Sequence, residues 1–79
     1  MITRKDIKEQ FNKYTAGKYI YFDSLIYGQA KVEIKAISNE THKPMIITCP
    51  LLVDIDKDEA VAVDWAKQEV RPYNPRKDW

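Results

Sequence analysis

The stretch Asp54-Ile55-Asp56-Lys57-Asp58-Glu59-Ala60-Val61-Ala62-Val63-Asp64-Trp65-Ala66-Lys67-Gln68-Glu69 decides the fold, because it carries the signals of two different elements. Asp56-Lys57-Asp58-Glu59 reads as a capping box with acids in a first turn, which would open a helix over 57–69. Val61, Val63 and Trp65 instead alternate with Ala62 and Asp64, the period of a half-buried strand. On a helical wheel the apolar residues from Ala60 to Val70 spread around most of the circumference. Weighing pattern above propensity makes residues 54–59 an acidic hairpin loop and Ala60 to Trp65 a strand. Ala66 to Glu69 is then one turn of tight helix, and Val70 to Tyr73 a last short strand. The chain is then mainly β, an N-terminal α-helix followed by a small five-stranded barrel. The competing arrangement is α+β, αβββα, with its C-terminal helix at 57–69.

Upstream, the signals are less divided. Thr3 stands as N-cap with Asp6 three residues on, Ile2 and Ile7 form a hydrophobic staple, and Gly17 supplies the stop. Ile7, Phe11 and Tyr14 share one face, which predicts a helix over 4–16 docked through a narrow stripe. From Lys18 the period changes. Tyr19 to Phe22 opens a strand, and Ala30, Val32, Ile34 and Ala36 alternate with Lys31, Glu33 and Lys35 in the clearest strand of the chain. The polar loop Ser38 to Pro44 turns it into a hairpin with Met45 to Cys49. Pro50 places the returning strand at an edge or breaks it before Leu51, Leu52 and Val53. Residues 1–73 thus form a single domain (helix 4–16, barrel 18–73), and 74–79 an extended tail.

Length and composition bound the function. Seventy-nine residues, 44% hydrophobic, 32% charged and with a net charge of +1, make one core of a size that needs nearly every large apolar residue for folding. The single Cys49 forms no internal disulfide, and with the single His42 it cannot assemble a zinc site. A reducing, cytoplasmic compartment and no cofactor or structural metal are expected. The longest apolar stretch, Met45 to Val53, is interrupted by Thr48 and Pro50 and is far short of the roughly 20 residues of a membrane span. The charged residues Arg4, Lys5, Asp6, Lys8 and Glu9 leave no signal-peptide core at the N-terminus.

Two segments, Lys18 to Ala36 and Val63-Asp64-Trp65 with Glu69-Val70-Arg71-Pro72, resemble the small β-barrels of the Sm-like and Tudor-like kinds. The first is similar to the opening of an Sm-like domain, the second to the closing strand, tight turn and final strand common to both groups. The resemblance implies architecture. It does not imply an Sm-type RNA pocket, because the loop after Ala36 reads Ile37-Ser38-Asn39 where that family has an Asp followed by a Met-Asn motif.

Candidate chemistry is sparse. His42, between Thr41 and Lys43, reads as a solvated loop histidine rather than a general base, and Cys49 as a buried thiol with no basic neighbour to activate it. Glycine at positions 17 and 28 alone builds no phosphate loop. Asp54, Asp56, Asp58 and Glu59 begin like a calcium loop but lack its central glycine. They belong to a segment, 54–69, with six acids against two lysines, while residues 1–22 total +3 and 70–79 total +2. Such segregation can steer a basic protein partner. Tyr19 and Tyr21 share a strand face beside Asp23, where aromatics could stack a base or enclose an alkylated ammonium group, or could cover the core. Trp79 is a candidate anchor.

No catalytic residue is expected, and the protein reads as a non-catalytic macromolecule-binding protein. Protein contact through Asp54, Asp56, Asp58, Glu59, Tyr19, Tyr21 and Trp79 comes first, in a subunit, an adaptor or an inhibitor. The alternative is a nucleic-acid-binding module using Arg4, Lys5, Lys8, Lys13, Arg71, Arg76 and Lys77. A homo-oligomer is compatible with either, and no membrane partner is expected.

Overall fold

A computed structural model describes residues 2–73. Its elements are α1 (Arg4–Thr15), β1 (Tyr19–Tyr27), β2 (Lys31–Ser38), β3 (Pro44–Asp54), β4 (Glu59–Val63), a 3-10 turn η1 (Trp65–Lys67) and β5 (Glu69–Pro72). The divided segment therefore folds as strand, 3-10 turn and strand, and the helix at 57–69 is corrected. The alternation of Val61, Val63 and Trp65 holds only in part: Val63 and Trp65 are buried, but a bulge at Val61 turns that residue outward and buries Ala60 instead.

The helix forms as its ends dictate. The Thr3 side chain accepts from the Asp6 amide while the Asp6 carboxylate accepts from the Thr3 amide, a complete capping box. At the other end Ala16, rather than Gly17 alone, turns left-handed at φ 54°, and its amide returns to the Asn12 carbonyl. The buried stripe is Ile7, Phe11 and Thr15, whose hydroxyl donates to the Phe11 carbonyl. Tyr14, expected in that stripe, is half-exposed.

All five strands join one antiparallel sheet, in the order β1-β2-β3-β4, with β5 on β3. Central strand β3 is shared in tandem: Met45–Thr48 pair with β5, and Leu51–Asp54 pair with β4. Pro50 sits at the handover. Its missing N–H would point into the gap between β5 and β4, the side on which its carbonyl accepts from the Asp64 amide at 2.9 Å. The next amide, Leu51, faces β2 and reaches the Ala30 carbonyl at 3.0 Å. Proline is tolerated inside a central strand here because its ladder partner changes at that residue.

Bulges at Phe22 in β1 and Val61 in β4 add twist, and the sheet curls into a half-barrel. Helix α1 lies across its open side. Phe11 meets Tyr21 of β1 edge-on at 5.7 Å and Trp65 of η1 at 6.4 Å, Tyr14 stacks on Trp65 at 5.3 Å, and the Trp65 indole donates to Gln10 at 3.0 Å. The Ile2 amide reaches the Ala60 carbonyl of β4 at 2.8 Å. Beneath lies one core of Ile2, Ile7, Phe11, Val32, Ile34, Ala36, Ile47, Cys49, Leu51, Ala60, Val63 and Trp65. Among the described residues no helix is long and apolar enough to cross a membrane.

Candidate functional site

The four acids Asp54, Asp56, Asp58 and Glu59 fall at one end of a single hairpin. Asp54 and Glu59 are the last ladder pair of the β3–β4 hairpin, and Ile55-Asp56-Lys57-Asp58 is its turn. The turn has a local cause. The Asp54 carboxylate accepts from the Asp56 amide at 3.0 Å and from the Lys57 amide at 3.3 Å, and Asp58 closes it at φ 52°, a conformation aspartate tolerates. Asp54 thus acts on the backbone. No group of three or more His, Cys, Asp or Glu among the described residues is placed to hold a metal ion.

Sequence reasoning missed the apolar part of this hairpin. Ile55 stands at the tip with 89% of its surface exposed, and Leu52, Val53 and Val61 are exposed behind it. The signal was present in one respect: an isoleucine between two aspartates in a polar turn has no local reason to be apolar. Val61 carried no such signal, because its exposure follows from the bulge.

The tyrosines occupy a different place. Tyr19 and Tyr21 pack against the core rather than forming an open face, with Tyr21 under Phe11, its hydroxyl 2.8 Å from Ser24 and the Lys8 ammonium 5.9 Å above its ring. Asp23, their proposed carboxylate neighbour, accepts from the Ser24 amide and pairs with Arg4, which in that order keep its carboxyl below the ordinary range. Trp79, Arg76 and Lys77 lie outside the described residues.

The basic set is divided. Arg4 binds Asp23, Lys8 lies over Tyr21 and Lys13 over Tyr14, while Lys5 is exposed on the helix. Arg71 belongs to β5, opposite Ile46 and separated from β1 by β2 and β3. Among the described residues, Arg71 thus lies on a strand that is not a neighbour of β1, where Arg4 is held by Asp23.

At the opposite end of β3 from the acidic tip, Phe22, Lys35, Ala36, Ile37, Pro44, Met45 and Tyr73 line an apolar groove of about 200 Å³. Phe22 is the bulge residue of β1 and is 72% exposed. The Lys35 ammonium lies 5.7 Å from the Tyr73 ring, and the Tyr73 amide donates to the Pro44 carbonyl at 3.0 Å. Cys49 and His42 do not meet as a catalytic pair: the thiol is fully buried in β3 and the imidazole exposed in the β2–β3 turn. Burial pushes the Cys49 thiol up to about 11, away from nucleophilic character. Comparison with protein-family models, curated proteins and solved structures finds no match to this chain.

Proposed function

We propose that the protein is a non-catalytic binding protein that recognises another protein through the tip of its β3–β4 hairpin. The supporting observation is Ile55, 89% exposed on a turn tied by Asp54 and ringed by Asp56, Asp58 and Glu59. Burying such an aliphatic side chain is worth about 1.5–3 kcal/mol, and the surrounding carboxylates add steering rather than most of the affinity. The partner is a protein with an apolar pocket and a basic rim. The same carboxylates repel phosphate, which disfavours nucleic acid at this end. Subunit, adaptor and inhibitor roles all use such a tip.

The test is affinity capture with mass spectrometry, with nuclease added in a parallel arm. Wild type should retain a protein in both arms, Ile55→Asp should lose it, and Asp56→Lys with Asp58→Lys should slow its association while leaving the fold intact. Retention that nuclease abolishes, or that the Ile55 change leaves untouched, would overturn the proposal.

A further inference from the structure

Two exposed apolar features among the described residues have opposite surroundings. The hairpin tip presents Ile55 among Asp54, Asp56, Asp58 and Glu59, with Lys57 as its one cation. The groove presents Phe22, Ile37, Pro44 and Met45 beside Lys35, with Lys43 immediately before Pro44 and Arg71 opposite Ile46; the carboxylate beside it, Asp23 across from Lys35, is already paired with Arg4. Strand β3 carries both, Pro44 at one end and Asp54 at the other. At about 3.3 Å per residue these ends are roughly 30 Å apart, so the tip cannot reach the groove of its own chain. A volume of about 200 Å³ compares with the roughly 150 Å³ cavity that takes a benzene-sized molecule, and so admits one aliphatic side chain.

We infer that the groove is the receptor for the hairpin tip of a second copy of this chain: Ile55 enters between Phe22, Ile37 and Met45 while its flanking carboxylates face Lys35, Lys43 and Arg71. This rests on the reading of the hairpin as a binding element and names its partner. The contact is heterologous, because donor and acceptor surfaces differ, so the donating copy keeps a free groove and the accepting copy a free tip. Assembly then continues head to tail, as an open row or a closed ring. An interface this small places the dissociation constant between roughly 10 µM and 1 mM.

The experiment is sedimentation of the full chain over that concentration range. Wild type should rise at least twofold above the 9.3 kDa of one copy, through species larger than a dimer. Ile55→Asp and Phe22→Asp, both at exposed positions, should each stay monomeric with unchanged circular dichroism. Mixed, they should form a 1:1 dimer and nothing larger, because the Phe22 variant offers an intact tip and the Ile55 variant an intact groove. Lys35→Glu with Arg71→Glu should also abolish assembly, and adding the Asp56→Lys, Asp58→Lys variant should restore it. A monomeric wild type, or variants that fail to pair, would overturn the inference. If Trp79→Ala alone then permits assembly, residues 74–79 are the occupant instead. Loss of self-association with captured foreign protein still sensitive to Ile55→Asp would leave the hairpin's binding role standing, whereas indifference to Ile55→Asp in both assays would end both.

Discussion

Phe11→Ala tests whether α1 completes the half-barrel. Phe11 is fully buried and contacts Tyr21 of β1 and Trp65 of η1, at ring distances of 5.7 and 6.4 Å. Removing a buried phenylalanine ring costs about 3–5 kcal/mol in lost transfer energy and cavity formation, the edge-on ring contacts lying within that figure. A 79-residue domain has a total stability of roughly 4–12 kcal/mol, so this one change removes a large part of it. The expected fall in Tm is roughly 12–40 °C, at about 4–8 °C per kcal/mol for a domain this small. Urea denaturation followed by tryptophan fluorescence and far-UV circular dichroism reads it, with exposed Lys5→Ala as the control, expected within about 0.5 kcal/mol. A loss below about 1 kcal/mol, or two non-coincident transitions with the strands outlasting the helix, would show that the sheet stands without α1.

Acid sensitivity should trace to two surface carboxylates. The Thr3 amide and hydroxyl hold Asp6 below its ordinary 3.8, and the Ser24 amide, then Arg4, hold Asp23 below the same value. A carboxyl depressed on folding stabilises the fold above its unfolded pKa and loses that contribution as pH falls through the folded one. Urea midpoints should therefore drop below about pH 4, and Asp6→Asn with Asp23→Asn should flatten that limb; an unchanged acid slope would contradict both assignments. Cys49 should resist a thiol reagent at pH 8, reacting roughly 10²-fold more slowly than in urea-unfolded chain, because its pKa near 11 and full burial leave little accessible thiolate. Equal rates would place the thiol at the surface.

Local chemistry determined much of this molecule from sequence. Thr3 and Asp6 specify a helix start that needs no tertiary partner, since the capping box closes within four residues. Alternation from Val32 to Ala36 specifies the inward face of β2, because strand side chains switch sides at every residue. Over 59–63 the strand prevails over a helix start because it pairs with β3 and buries Ala60 and Val63, although the bulge at Val61 breaks the alternation that pointed to it.

Only the tertiary structure decided the rest. Thr15 rather than Tyr14 faces inward, and Tyr14 instead stacks at 5.3 Å on Trp65, a residue fifty-one positions away. Pro50 was readable as an edge or a break, but its tolerance within a central strand follows from where β5 hands over to β4. Both surfaces of functional interest depend on long-range geometry: Phe22 and Val61 are exposed because bulges shift their registers, and the groove forms because Tyr73 returns beside Pro44. The acids of the hairpin were legible because a turn's polarity is local. The apolar groove at the other end of β3, assembled from four separate stretches of chain, was not, because no single stretch of sequence holds its pattern.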